Sequence, residues 1–313
     1  MRRRKFISLS LAGGTSLALL PLAAAAQQPR KVVRLGYLMT GSPDSYEATA
    51  VRDSFRQGLR ELGYVEGTDI LVEYRTADNN MERSPDLARE LVLLKVDVIV
   101  APNTPAARAA PQATTTIPIV VPIMGYPVGD GLVSSLARPG GNITGLTFFG
   151  PELLPKRLAL LKDALPKVSN VAALWHPSAY GERTITNMVK ETEAAAQDLG
   201  VRLQFVAVHG PDELDRAFST IATERADALI VFPSAMLFNE RRRIVDLATR
   251  YRLPSTSMAR ELVELGGLMS YGASITDLQR RAAAYVDKII KGAKLLTCQS
   301  SHERDAKRRT YRN

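Results

Sequence analysis

The sequence predicts an α/β protein of two doubly wound lobes, each with a parallel sheet covered by helices on both faces. Strand-like apolar runs alternate with helix-like amphipathic runs, and no hairpin turn joins consecutive strands, which is typical of parallel sheets. The chain has 313 residues, enough for two domains of ordinary size. Two halves of similar length flank the Pro- and Gly-rich stretch 117–146, which we interpret as the end of the first half.

The first half contains four predicted strands and three predicted helices in alternation. The helix after the first strand stops at Gly63, a residue type that favours the conformation found just after a helix. The strand at 96–100 is apolar almost throughout, as expected of a strand buried on both faces. The other strands are predicted at 32–39, 70–74 and 119–123, and the helices at 51–62, 85–94 and 105–113. A Pro-Gly-Gly-Asn turn then leads into a further β-branched run.

The second half repeats this alternation after a helix predicted at 152–164. Its strands are predicted at 171–175, 203–208, 228–232, 254–257 and 268–271, and its helices at 185–199, 212–223, 240–251, 260–265 and 277–291. The last helix is amphipathic, and its apolar stripe contains Leu278, Ala282, Tyr285, Val286 and Ile289. We expect this stripe to pack on the rest of the protein.

Both ends of the chain depart from this pattern. Residues 1–26 have a basic start, an apolar centre and three alanines before Gln27, which is the order of a secretory signal. Arg3 and Arg4 also fit a twin-arginine signal, and both export routes stay open. Residues 295–313 are basic and polar without an apolar period, so we predict a disordered tail. Binding of this tail to a membrane or nucleic acid is the functional alternative.

The formal charge of +9 is concentrated at the two ends. Residues 2–5 carry +4 and residues 295–313 carry +3, which leaves +2 for the body. A nearly neutral body offers no extended phosphate-binding face, which argues against a nucleic-acid partner. The single cysteine, Cys298, allows no intramolecular disulfide and leaves none at the predicted cleavage site for a lipid anchor. The apolar signal run is too interrupted for a membrane span, and we expect none.

The sequence offers little for catalysis. His176 and His209 lack the spaced partners of a metal site, and the Gly-rich phosphate loops and the Gly-x-Ser-x-Gly turn of known enzyme classes are missing. We therefore expect no metal, no cofactor and no enzymatic activity. An enzyme on a doubly wound fold is the alternative, and Asp44, Asp130 and His176 would be its candidates for acid or base.

Ligand binding is better supported, because ligands of such sheets bind beyond the carboxyl ends of the strands. If the lobes face each other, the loops there meet in one cleft. Ser42 follows the first strand, and Ser234 follows the third strand of the second lobe. Asn103 and Thr104 precede a helix, where Thr104 can cap and the free amides can accept an anion. A capping role alone is equally compatible with these residues.

Three aromatic residues belong to the same predicted loops. Trp175 ends a strand of the second lobe, while Tyr126 and Tyr271 follow strands elsewhere. An aromatic ring at a strand end provides a stacking wall for a flat ligand. Packing in the core is the alternative for each. The predicted ligand-binding residues are Ser42, Asn103, Thr104, Tyr126, Trp175, Ser234 and Tyr271.

The run Arg-Pro-Gly-Gly-Asn-Ile-Thr-Gly at 138–145, with motifs at 103–107, 127–129, 190–196, 266–272 and 281–289, resembles the ABC-transporter substrate-binding protein family that includes tryptophan-binding members. The resemblance covers residues 30–294. It implies a type I periplasmic binding fold, in which two lobes joined by a multi-strand hinge close on a ligand. It also implies that the ligand is delivered to the permease of an importer.

Three departures from the family pattern bear on the ligand and the fold. Tyr126 stands where such proteins usually have the Asp of Gly-Asp-Pro, and Ser234 and Ala235 stand where the tryptophan-binding type has an acid. Without these acids, the ammonium of an amino acid would be unpaired in a closed cleft, which is costly. After Lys294 the family continues into a strand and a helix, and the different sequence here predicts reduced stability or an altered hinge.

We therefore predict a signal over 1–26, a first lobe over 27–147 and 270–294, a second lobe over 148–269, and a tail over 295–313. The expected function is that of a monomeric periplasmic solute-binding protein. Its expected ligand is a small organic molecule, aromatic, carboxylate-like or derived from an amino acid, and its partner is an ABC transporter permease. The alternative is a ligand-sensing partner of a membrane receptor.

Overall fold

Two parallel sheets organise the computed structural model, which describes residues 32–42, 47–150, 152–293 and 299–300. The strands in this part of the chain are β1 (Val33–Met39), β2 (Ile70–Thr76), β3 (Val98–Val100), β4 (Ile119–Met124), β5 (Ile143–Thr147), β6 (Asn170–Trp175), β7 (Arg202–Ala207), β8 (Ala228–Val231), β9 (Ser255–Ser257), β10 (Met269–Ser270) and β11 (Gln299–Ser300). The helices are α1 (Arg52–Glu61), α2 (Ser84–Leu93), α3 (Thr104–Ala113), α4 (Leu154–Ala164), α5 (Glu182–Asp198), α6 (Leu214–Thr223), α7 (Ala235–Asn239), α8 (Arg241–Arg250), α9 (Arg260–Glu264) and α10 (Ile275–Ile290).

The first sheet has the strand order β11-β5-β4-β3-β1-β2, and its neighbouring strands pair in parallel. Its central strand β3 is wholly buried, as its apolar sequence predicts. Helix α10 returns to this sheet and packs against α1 and β4. We call this sheet with α1, α2, α3 and α10 the first lobe.

The second sheet has the strand order β10-β9-β8-β6-β7 and is also parallel. Its central strand β8 is wholly buried. We call this sheet with α4 to α9 the second lobe. The predicted fold class is confirmed, because both sheets are parallel and each is built from alternating strands and helices.

Among the described α-helices, one is missing from those that the sequence predicts. Helix α7 has five residues, too few to show a helical period of apolar residues. Helix α5 begins at Glu182, three residues before its predicted start, and α10 begins at Ile275. Gly63 and Gly200 follow α1 and α5 with φ of 85° and 64°, a conformation that glycine adopts without strain.

The chain passes between the lobes at residues 148–153, after β5, and at residues 271–274, after β10. Arg157 of α4 is fully buried and joins these two crossovers. Its Nε donates to the Tyr271 carbonyl at 2.7 Å, and its Nη1 donates to the Gly150 carbonyl at 2.9 Å. Burial lowers the pKa of Arg157 to about 10, so the guanidinium stays charged at neutral pH.

Glu152 lies in the first crossover. Burial raises the pKa of its carboxyl to about 7, and the charges of Glu191 and Asp130 act in the same direction. Its Oε2 atom is buried and has no hydrogen-bond partner among the described residues. The fold therefore favours the protonated form of this side chain.

The predicted signal at 1–26 lies outside the described residues. Within the predicted tail 295–313 the structure describes Gln299 and Ser300 alone, which pair in parallel with Leu146 and Thr147 of β5. The predicted lobe boundaries stay a prediction.

Candidate functional site

Two adjoining cavities lie between the lobes, at the carboxyl ends of the strands. The inner cavity has a volume of about 90 Å³, and the outer cleft has a volume of about 840 Å³. Pro105, Ala179, Ser234, Ala235 and Asn239 line both. The two cavities thus share one wall, to which both lobes contribute.

The inner cavity is apolar with a few neutral polar groups. Its described lining carries no Asp, Glu, Lys, Arg or His side chain. Polar side chains in the lining are Asn103, Thr104, Ser234, Asn239, Ser257 and Gln279, and aromatic rings are Phe148, Tyr180, Phe232 and Phe238. A ligand group inside this cavity therefore meets no opposite charge from the described wall.

Asn103 and Thr104 bring the start of α3 to the inner cavity. Asn103, not Thr104, is the N-cap, because Asn103 Oδ1 accepts from the Ala106 N–H at 3.1 Å. Asn103 Nδ2 donates to Thr40 Oγ1 at 2.8 Å. Thr104 Oγ1 instead accepts from the Gly125 N–H at 3.1 Å, which ties α3 to the end of β4. Both side chains are therefore engaged in positioning loops of the first lobe.

Ser234 lies at the start of α7, in the part of the inner cavity wall that the second lobe provides. Its Oγ accepts from the Leu237 N–H at 3.4 Å, and so it caps this helix. The cap orients α7 so that Leu237 and Phe238 line the inner cavity. The guanidinium of Arg241 lies 5.0 Å from the centre of the Phe238 ring and covers it.

Gln279 of α10 is a lining residue that the sequence reasoning missed. It is fully buried, its Nε2 donates to the Pro102 carbonyl at 3.1 Å, and its Oε1 accepts from the Tyr37 hydroxyl at 3.3 Å. The sequence does contain a signal for this buried role, since Gln279 occupies a position of the apolar helical stripe with Ile275, Ala282 and Val286. A polar residue in such a stripe indicates a buried hydrogen-bonding role.

Tyr180 is a second lining residue outside the predicted set. It is buried, and burial raises the pKa of its hydroxyl above the ordinary value for tyrosine. The hydroxyl is therefore protonated at neutral pH and available as a donor.

The structure does not bring the three predicted aromatic residues to either cavity. Trp175 packs edge-on against Phe205 with ring centres 6.5 Å apart, and Phe205 packs in the same way against Phe232 at 5.9 Å. Tyr126 lies against Gly129. Tyr271 is 38% exposed, and its carbonyl accepts from Arg157.

The outer cleft is polar and holds charged groups from both lobes. Ser42, the remaining predicted binding residue, lies in its wall with Glu82, Arg108, His176, His209 and Glu240. Burial lowers the pKa of His176, and the nearby His209 adds to this effect. His176 is therefore neutral at pH 7.

The candidates for catalysis are not assembled in the described residues. Asp44 lies outside them, His176 lines the outer cleft, and Asp130 lines neither cavity. In the same part of the chain, no group of three or more His, Cys, Asp or Glu side chains is placed to hold a metal ion. None of the helices described there has both the length and the apolar character to cross a membrane.

Comparison with known proteins assigns a family. The profile of the family described as ABC transporter substrate binding protein matches residues 43–307. A protein of Clostridioides difficile named "Tyrosine-binding protein" is 25% identical over 245 residues, which are 77% of this chain and 68% of that protein.

Two solved structures share the fold over most of their length. A conserved domain protein of Vibrio cholerae is 27% identical with a TM-score of 0.76, and the match covers 87% of this chain and 90% of that one. An ABC domain from Streptococcus pneumonia, solved in complex with L-Trp, is 24% identical with a TM-score of 0.76, over 86% and 88% of the two chains.

Proposed function

Because this chain belongs to the ABC transporter substrate-binding protein family, we propose that it binds a small organic ligand with an aromatic or other apolar body between its lobes and delivers it to the permease of an importer. The inner cavity carries this proposal, since both lobes line it at the carboxyl ends of their strands. A ligand there contacts both lobes at once, so binding favours the closed arrangement.

The inner cavity suits the apolar part of the ligand. Four aromatic rings and several aliphatic side chains form its wall, and no described lining residue is charged. Its volume of about 90 Å³ is below the roughly 150 Å³ of a cavity that accommodates benzene. A ring therefore enters only when wall side chains move or the lobes separate. Phe238, on the five-residue helix α7, is the wall residue that we expect to move.

The outer cleft suits the polar end of the ligand. Its volume of about 840 Å³ lies in the range of roughly 300–1,000 Å³ that is usual for small-molecule sites. Arg108 offers a guanidinium to a carboxylate there, while Glu82 and Glu240 offer carboxylates to a cation. We propose that the carboxylate of the ligand faces Arg108.

The ligand class follows from the charges at the shared wall. The named C. difficile relative and the L-Trp complex of S. pneumonia support an aromatic side group. Ser234 and Ala235 line both cavities as neutral residues, so the wall that the two cavities share offers an ammonium no countercharge. Glu82 and Glu240 line the outer cleft alone. We therefore propose an aromatic carboxylate without an α-ammonium as the preferred ligand.

Isothermal titration calorimetry on matched pairs tests this ligand class. We expect 3-(4-hydroxyphenyl)propanoate to bind more tightly than L-tyrosine, and indole-3-propanoate more tightly than L-tryptophan. Each pair differs in the ammonium group alone, so apolar burial is nearly constant within it. Tighter binding of the amino acids would contradict the proposal, as would no binding of any of the four.

A substitution that introduces a charge at Ser234 tests the same ligand class by changing the protein instead of the ligand. Ser234→Asp and its uncharged control Ser234→Asn should both preserve the cap of α7, because Ser, Asp and Asn are about equally good N-caps. We expect Ser234→Asp alone to raise the affinity for L-tyrosine relative to its deaminated analogue, by about tenfold. An unchanged ratio in Ser234→Asp would show that the α-position of the ligand lies elsewhere.

We further propose that the protein acts in the periplasm, as a monomer and without chemistry of its own. The signal-like sequence of residues 1–26 supports export, and the role of the family in solute binding supports capture without turnover. The permease of an ABC importer is the partner that this role requires.

A further inference from the structure

Helix α5 lacks a cap from its own residues. This helix has 17 residues, and its N-cap is Gly181, which makes no side-chain capping bond. Amides in the first turn of a helix need acceptors from outside the helix, and leaving them unpaired costs stability. At the start of α5, an acceptor from the other lobe binds the amide of the N-cap residue Gly181 and the Thr184 hydroxyl.

Asp130 of the first lobe supplies the acceptor. It lies between β4 and β5, and its Oδ1 accepts from the Gly181 N–H at 3.0 Å and from Thr184 Oγ1 at 2.5 Å. A carboxylate at this end of a helix is also favoured by the helix dipole. We name these two hydrogen bonds the inter-lobe cap.

A second contact between the same two loops lies beside the inter-lobe cap. The ring of Tyr180 packs on Gly125 of the first lobe so closely that a Cβ atom at Gly125 would lie 2.2 Å from Tyr180 Cε1. A Cβ atom at Gly181 would lie 3.0 Å from Asp130 Oδ1. Glycines on both sides thus let the loops approach, and both contacts require the lobes to be close together.

We propose that Asp130 is a positioning residue that sets the equilibrium between the closed and the open arrangement of the lobes. The inter-lobe cap forms on closure and breaks on opening, so each opening leaves the Gly181 amide and the Thr184 hydroxyl at the start of α5 without their acceptor. Asp130 lines neither the inner cavity nor the outer cleft. It therefore changes ligand affinity through the population of the closed arrangement and not through contact with the ligand.

The test uses the full chain without ligand. Small-angle X-ray scattering measures the radius of gyration, and hydrogen–deuterium exchange measures protection of the Gly181 amide, which donates to Asp130. In Asp130→Ala we expect a larger radius of gyration and about fivefold faster exchange at this amide, because the loss of one such hydrogen bond typically shifts an equilibrium by that factor.

Asp227→Ala is the matched control. Asp227 Oδ2 accepts from the Ser169 N–H and the Asn170 N–H, both at 2.9 Å, and all three residues belong to the second lobe. Its loss removes comparable bonds without touching the contact between lobes. We therefore expect Asp227→Ala to keep the radius of gyration of the wild type.

Two further variants cover the case in which Asp130→Ala does not fold, as judged by circular dichroism. Thr184→Val removes one donor and should expand the protein in the same direction, while Asp130→Asn keeps the Oδ1 acceptor and should lie between wild type and Asp130→Ala. A folded Asp130→Ala or Thr184→Val with the wild-type radius of gyration would overturn the proposal, as would equal expansion in Asp227→Ala. The inference rests on the capture of a ligand between two lobes proposed above. Its test needs no ligand, so its outcome does not depend on the ligand class.

Discussion

The polar side chains around the inner cavity are largely committed to partners within the protein. The Gln279 side chain accepts from the Tyr37 hydroxyl and donates to the Pro102 carbonyl. The Thr104 hydroxyl accepts from the Gly125 amide, and Ser234 caps α7. Few of their hydrogen-bonding groups remain for a ligand. Selection in this cavity therefore depends on shape and apolar contact, and these bonds keep the wall in place.

Glu152 gives the stability of the protein a pH dependence at the level of one residue. Its pKa is about 7 in the folded protein and near the ordinary value in the unfolded chain, so between these values the folded state binds more protons. The free energy of unfolding should therefore fall as the pH rises from 5 to 7 and level off above. Urea titrations at pH 5, 6, 7 and 8 should show that Glu152→Gln removes this part of the slope.

The control for Glu152→Gln is Glu193→Gln. Glu193 is exposed on α5, so its neutralisation should leave the slope of the wild type. His176, whose pKa is lowered by burial, contributes in the opposite direction, because its stabilisation is lost as the pH falls. The comparison of variant and wild type cancels this contribution. An identical slope in Glu152→Gln and wild type would contradict the prediction.

At the scale of elements, α1 and α10 have the most extensive contact of any two described helices. Gly58 faces α10, and a Cβ atom there would lie 2.0 Å from the Arg280 carbonyl oxygen. Arg280 also bonds Glu61 of α1 at 2.9 Å. This contact fixes the returning helix α10, and with it Gln279, against the first sheet.

Gly58→Ala should destabilise the protein although alanine favours helices. The gain in helix propensity is about 1 kcal/mol, but the Cβ atom would overlap backbone and force α1 and α10 apart, at a cost of about 3 kcal/mol. We expect a net loss of about 2 kcal/mol in the free energy of unfolding by urea titration. Gln57→Ala, one exposed position away, should change it little. A more stable Gly58→Ala would show that the helices separate without cost.

At the scale of the whole molecule, the two described crossovers act as one unit because Arg157 binds both. The carbonyls of Gly150 and Tyr271 are 121 residues apart in sequence and share one guanidinium. Arg157 thereby couples the two segments that connect the lobes. The fold thus places a buried charge at the hinge. The two carbonyls offset part of its desolvation cost, while Nη2 is buried without a hydrogen-bond partner among the described residues.

Arg157→Ala should lower the free energy of unfolding by about 3 kcal/mol, because it removes two charge-assisted bonds and leaves the buried Gly150 carbonyl and the part-buried Tyr271 carbonyl unpaired. Chemical denaturation monitored by far-UV circular dichroism measures this loss. Arg260→Ala is the control, since Arg260 is 82% exposed and pairs with Glu264 at the surface. Such a surface ion pair contributes less than about 1 kcal/mol to the free energy of unfolding. Similar losses in both variants would show that Arg157 has no special role at the hinge.

Much of the fold could be predicted because local signals suffice for it. The apolar runs of β3 and β8 indicate buried parallel strands, and Gly63 and Gly200 mark helix ends that the structure confirms. Helix α7 escaped prediction because five residues carry no period.

The site could be predicted only in part, because it depends on contacts between distant residues. That Asn103 and Ser234 face a cavity follows from the topology of parallel sheets, whereas the packing of Trp175 on Phe205 depends on the neighbouring strand. The acceptor for α5 lies 51 residues before Gly181, on the other lobe. No local pattern in the sequence predicts such a pairing.

The row of rings from Trp175 through Phe205 to Phe232 has a spectroscopic consequence. Trp175 is the single tryptophan of the chain, and two rings separate its indole from the inner cavity. Phe232 lines the inner cavity and Trp175 does not, so we expect a ligand in this cavity to change the emission of the indole through a displacement of Phe232 and Phe205. The emission of Trp175 should therefore report movement of the cavity wall without a label attached to the protein.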